Sequence, residues 1–193
     1  ASSIRLRAKT NDTSKYLEFH YHLDDSSYVA NYDINFVGLH KDLDPNKMDL
    51  RWNMTGLSTE KLASQERTIC GVMFKCEGEN RDYLNERGSD ALNEFGTDIE
   101  WIAFKHNYFS SIIYADQSFK KEDASLAVVD QDASLKYTTN YQAEINLSKP
   151  LEKSTTIPLK LYFGPNDYHE LEKLDMGAEQ LVNLGPSIFR AVN

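Results

Sequence analysis

The chain has 193 residues, long enough for one well-buried core in a single domain or two small ones. Its 30 acidic residues outweigh 21 basic ones, and the formal net charge of −9 argues against a nucleic-acid partner, which would need clustered Lys and Arg. No run approaches the roughly 20 apolar residues of a membrane-spanning helix. The start, Ala1-Ser2-Ser3-Ile4-Arg5, has no apolar signal core, so any targeting segment is expected to have been removed.

Ile4 to Ala8 already reads as strand. Leu17, Phe19, Tyr21 and Leu23 then share one face, with Tyr16, Glu18, His20 and His22 opposite. Tyr28, Ala30, Tyr32, Ile34 and Phe36 alternate with Val29, Asn31, Asp33, Asn35 and Val37 in the same way. Further strands are expected at Met48–Thr55, Thr68–Glu77, Arg81–Asn85 and Ser125–Asp130, and a helical turn or two at Ser58–Glu66. Trp101 to Tyr114 reads as one strand that is apolar on both faces and therefore covered above and below. From Leu135 to Leu147 the alternation is strict, the mark of an antiparallel strand with one wet face. Ile157-Leu159-Leu161-Phe163 forms a last strand, stopped by Gly164-Pro165, and Asn166 to Asp175 reads as a charged helix. Nine or ten strands with helix saved for the end predict an antiparallel sandwich over 1–165 and a helical segment over 166–193, in one domain.

The tail is the most telling segment. From Pro186, allowed in a first helical turn, Ile188, Phe189 and Val192 fall on one side, and helix is still in progress at Asn193. Such an amphipathic end suits a membrane interface, or docks on the sandwich instead. Function is accordingly expected in what the domain is attached to.

Candidate chemistry is sparse. His20 and His22 stand about 6.6 Å apart along one strand face, a spacing that serves a metal given a third ligand such as His106 or an acid. A solvated polar face opposite Leu17, Phe19 and Tyr21 is the preferred reading of the pair. Cys70 and Cys76 lie about 20 Å apart if extended, while a disulfide needs Cα atoms within roughly 7 Å, so two buried thiols are expected. Acidic turns such as Glu77-Gly78-Glu79 match no calcium loop, and no nucleophile elbow, Walker loop or dinucleotide fingerprint occurs.

Several stretches together resemble the periplasmic domain of YidC-type membrane protein insertases. They are Trp101-Ile102-Ala103-Phe104-Lys105-His106-Asn107-Tyr108-Phe109, Leu159-Lys160-Leu161-Tyr162-Phe163-Gly164-Pro165-Asn166-Asp167-Tyr168 and Asn183-Leu184-Gly185-Pro186-Ser187-Ile188-Phe189. The resemblance implies a twisted antiparallel β-supersandwich of the galactose-mutarotase type, here N-terminally truncated, with a C-terminal helical segment leading toward the membrane. It implies a non-enzymatic part of an insertase in the bacterial inner membrane, with this domain in the periplasm. It further implies contacts with the Sec translocon and its accessory subunits, with nascent membrane proteins, and with the membrane through adjacent spans. No cofactor, metal or catalytic residue is expected. The residues that carry the family motif are Trp101, Phe104, Tyr108, Phe109, Phe163, Gly164 and Pro165. Leu184, Ile188, Phe189 and Val192 are expected to face lipid or the insertase core. The alternative is a carbohydrate-binding or mutarotase-like enzyme, with an acid and a base drawn from His20, His22, His106 and Glu100.

Overall fold

A computed structural model describes residues 1–58, 61, 66, 68–84, 90–130 and 137–182. In chain order the strands are β1 (Ser2–Lys9), β2 (Tyr16–Leu23), β3 (Val29–Val37), β4 (Asp49–Leu57), β5 (Gly71–Cys76), β6 (Asp82–Tyr83), β7 (Asp90–Leu92), β8 (Ile99–Lys105), β9 (Phe109–Asp130), β10 (Tyr137–Asn146) and β11 (Ser154–Pro165). Helix α1 (Tyr168–Glu172) and a 3-10 turn at Ala178–Leu181 follow.

All strand pairs are antiparallel and form two layers. The first runs β1-β2-β3-β11-β9-β8-β5-β6; the second holds β4, β10, β7 and the far half of β9. β9 joins the layers. Its first half pairs with β8 and β11, as in Ile113↔Ile102 and Ile113↔Leu161. Its second half pairs with β10 from Lys120↔Asn146 to Asp130↔Thr139. A register shift between Glu144 and Asn146 marks the crossing, and Asp123 sits there at φ 60°. A bulge of this kind bends a strand and lets it change sheets.

The main core fills the space between the layers. Trp52 of β4 stacks on Phe104 of β8 with ring centroids 4.0 Å apart, and Phe104 also meets Tyr141 of β10 at 5.6 Å. The strict alternation of β10 is realised as expected, with Thr139, Tyr141, Ala143 and Ile145 buried. The outer face of the first layer carries a second apolar cluster of Met73, Trp101, Ala103, Ile112 and Tyr162, roofed by Leu171, Ala178 and Leu181 of the C-terminal segment. The central strands are thus covered above and below. The cover on one side is supplied by Leu171, Ala178 and Leu181, which follow β11 in the chain.

Three expectations need correction. Trp101 to Tyr114 is a hairpin of β8 and β9, closed where the His106 N–H donates to the Phe109 carbonyl at 2.9 Å. The turn resets the parity, so Ile102 and Ile113 point inward while Trp101, Ala103 and Ile112 point outward. Glu18 is not on a solvated face: it is buried, its Oε2 accepting from Arg7 Nε at 2.5 Å across β1–β2. The helix expected from Asn166 to Asp175 is shorter, because Asp167 caps it and it ends at Glu172. Cys70 and Cys76 are buried free thiols, and burial pushes the Cys76 thiol up to about 11. Most of Ser58–Glu66 and all of Asn183–Asn193 lie outside the described residues.

Candidate functional site

The motif residues gather where β11 leaves the first layer. Gly164 is dictated by close approach rather than by backbone angle. A Cβ there would stand 2.6 Å from Cζ and the hydroxyl of Tyr162 and 2.9 Å from Tyr28 Cβ. Only glycine lets the strand pass. Tyr162 cannot swing aside. It is buried, and its hydroxyl donates to the Pro165 carbonyl at 2.6 Å. Burial raises its phenol pKa, which keeps the proton that makes this bond.

Asn166 comes next and ties the strand exit to the β8–β9 turn. Its backbone N–H donates to the Tyr108 carbonyl at 2.7 Å. Its Nδ2 donates to the carbonyls of His106 (2.7 Å) and Asn107 (3.1 Å), and its Oδ1 accepts from Ser110 Oγ at 2.6 Å. Asp167 then caps α1, accepting from the Glu170 N–H at 3.0 Å. Beyond the helix, Asp175 (φ 53°) and Gly177 (φ 75°) turn the chain back over the sheet.

Residues Asn166 to Val182 therefore form a strap across the outer face of the first layer. Apolar burial holds it: Leu171, Ala178 and Leu181 are closed off from solvent. Two polar clasps fix its position. The Trp101 indole N–H, on a side chain with no exposed surface, donates to the Met176 carbonyl at 3.0 Å. Arg81 Nε donates to the Gln180 carbonyl at 2.6 Å. A cleft of about 480 Å³ lies between strap and sheet, lined by Lys75, Glu100, Tyr114, Asp116 and Met176 among others. Of its charged groups, Lys75 pairs with Glu100, and Asp116 pairs with Lys160, which lies outside the cleft lining. Among its described lining residues the cleft has no histidine and no thiol.

The motif thus divides into three sets. Trp101, Gly164 and Pro165 build the anchorage, and Phe104 belongs to the core between the layers. Tyr108 and Phe109 are each 62% exposed and Phe163 is 52% exposed, on neighbouring strand ends where Pro165 pairs with Phe109. These three form an uncovered aromatic tip. Leu184, Ile188, Phe189 and Val192 lie outside the described residues. Asn166, Met176, Arg81 and Gln180 were not singled out from sequence. Asn-Asp after Gly-Pro is a legible turn-and-cap signal, but the Arg81–Gln180 clasp spans 99 residues and leaves no local trace.

The histidines do not assemble a centre. His22 Nε2 lies 3.0 Å from Asp24 and His20 Nδ1 3.7 Å from Asp33, so each faces its own carboxylate on the polar side of β2. His106 packs against Tyr141 between the layers, ring centroids 5.5 Å apart, and burial lowers its pKa, only partly offset by the Glu66 carboxylate. Glu100 is on the outer face with Lys75. No group of three His, Cys, Asp or Glu able to hold a metal occurs among the described residues. The four residues suggested for a sugar enzyme, His20, His22, His106 and Glu100, are not brought together, and the third ligand suggested at His106 is on a different part of the sandwich from His20 and His22.

Comparison with known proteins identifies the family. A family model for the YidC periplasmic domain matches residues 1–191. The chain belongs to that family. It is 32% identical over 203 residues to a membrane protein insertase YidC of Phocaeicola vulgatus and 30% identical over 201 residues to that of Bacteroides fragilis. Each alignment covers 100% of this chain and 32% of the relative. A more distant YidC, from Chlorobium limicola, is 24% identical over 192 residues, 94% of this chain and 30% of its own length. The chain spans about a third of the length of the curated relatives it matches. No helix among the described residues is long and apolar enough to cross a membrane.

Proposed function

We propose that this domain is the outward-facing, periplasmic module of an inner-membrane insertase, acting as a rigid holder rather than as a reaction centre. It assists insertion and folding of membrane proteins by fixing the orientation of the segment that follows Val182. The strap carries this reading. Its apolar roof and its clasps at Trp101, Arg81 and Asn166 leave it little freedom to pivot on the sheet. On this reading Leu184, Ile188, Phe189 and Val192 contact lipid or the membrane core of the insertase. The aromatic tip of Tyr108, Phe109 and Phe163 meets protein partners, Sec translocon subunits among them, since exposed aromatics are the residue class that anchors interfaces.

The test is a double substitution, Ile188→Asp with Phe189→Asp, in the full-length insertase. Insertion of a dependent substrate should fall severalfold while the domain keeps its β-sheet circular dichroism. Normal insertion by that variant refutes the assignment of the tail.

A further inference from the structure

The two ends of the strap are pinned by different means. At the far end Arg81 Nε donates to the Gln180 carbonyl at 2.6 Å. At the root one residue holds the β8–β9 turn. Three successive carbonyls of that turn accept from Asn166: those of His106 and Asn107 from its Nδ2, at 2.7 and 3.1 Å, and that of Tyr108 from its backbone N–H at 2.7 Å. Ser110 Oγ donates to its Oδ1 at 2.6 Å, so the side-chain amide uses both donor hydrogens and its acceptor. A carboxylate of the same shape has no N–H to give and would set oxygen against two carbonyl oxygens.

Between root and far end the strap is held by short-range bonds of its own. The N–H groups of Leu171, Leu174, Asp175, Gln180 and Val182 each donate to a carbonyl three or four residues earlier. Its Leu171, Ala178 and Leu181 share one apolar cluster with Trp101 and Ala103 of β8. β8 then runs into the turn that Asn166 holds. Strap, β8 and turn thus close a ring of contacts with Asn166 as one joint, and contacts so closed open together as a cooperative unit.

We propose that Asn166 is a coupling residue, making the β8–β9 turn and the strap one unit, so that a change in either is felt by the other. Every joint is internal to residues 81–182, so strands elsewhere in a longer polypeptide neither make it nor break it. The functional consequence rests on the reading of tip and tail given above. A partner on Tyr108 and Phe109 stabilises the docked strap, and the docked strap tightens that partner by the same factor, because coupling is reciprocal.

Hydrogen exchange of the full-length insertase in detergent micelles tests the coupling, read by mass spectrometry on peptides covering the turn (104–111) and the strap (168–182). Arg81→Gln removes the far clasp, and Leu181→Ala removes a buried roof residue. Each should speed exchange in strap and turn by a common factor of about ten or more. Asn166→Asp keeps the size and the bond from Ser110 but loses both side-chain donors. The turn should then exchange faster at once, and adding Arg81→Gln or Leu181→Ala should speed the strap alone. Ser110→Ala leaves both donors in place and should preserve the joint response. A strap that loosens while the turn keeps its protection overturns the proposal. So does a joint response that survives Asn166→Asp, one lost equally in Ser110→Ala, or a strap that neither far-end variant loosens. If exchange shows the coupling and Asn166→Asp still inserts a dependent substrate normally, the holder reading fails and the coupling stands.

Discussion

Replacing Trp101 by Phe probes the strap directly. Trp101 has no exposed surface, and its indole N–H supplies the bond to the Met176 carbonyl. Phenylalanine keeps an aromatic ring on Ala103 and Ile112 but leaves a hole of roughly 40 Å³, worth about 1 kcal/mol at about 24 cal/mol per Å³. Losing the hydrogen bond adds about 1 kcal/mol. The sum, about 2 kcal/mol, corresponds to roughly a 30-fold shift in the equilibrium between docked and lifted strap. Hydrogen exchange reads this residue by residue. The amides of Leu171, Leu174, Gln180 and Val182 bond within the strap, to the carbonyls of Asp167, Leu171, Gly177 and Glu179. They should lose protection by about that factor through local opening. Amides of β10 in the other layer, such as those of Tyr141 and Ala143, should lose much less. If strap and β10 protection fall together, or strap protection changes less than threefold, the strap is not held through Trp101 and the rigid-holder reading loses its support.

Two further outcomes follow from the same geometry. Gly164→Ala forces a Cβ within 2.6 Å of a pinned tyrosine and should cost about 2–3 kcal/mol from overpacking, measured as a lowered urea midpoint with unchanged m-value. A loss below about 0.5 kcal/mol would mean that Tyr162 relaxes freely. For His106, burial lowers the folded-state pKa below the ordinary value, so the fold favours the neutral ring. Its contribution is intact above the ordinary histidine range and is lost as pH falls through that range and then through the lowered folded value. His106→Gln should therefore flatten the decline in unfolding free energy between about pH 7.5 and pH 5. A slope equal to the wild type's would show that the carboxylates alone account for the acid sensitivity.

The layers were legible in the chain because a half-buried strand writes its burial into alternate residues. Tyr141, Ala143 and Ile145 of β10, and Ile157, Leu159 and Leu161 of β11, announce an inner face without any knowledge of their neighbours. Apolarity on both sides of Ile102 and Ala103 likewise announced two covers. The sequence could not say that the upper cover is residues 166–182, nor that His106 and Tyr108 turn the chain and swap the inward parity from Ile112 to Ile113. Periodicity measures burial along one strand and carries no information about which distant segment supplies the contact.

The amino-acid sequence by itself determined the class of fold, the free thiols, the end of β11 at Gly164-Pro165 and the family to which the chain belongs, because each rests on local stereochemistry or on residues adjacent in the chain. Only the tertiary structure decided that Gly164 is demanded by Tyr162, that Trp101 clasps Met176 across 75 residues, and that the four acid–base candidates are scattered. Those facts depend on which strands become neighbours. Neighbours in a sandwich are chosen by burial summed over the whole chain, and no single stretch of it records that sum.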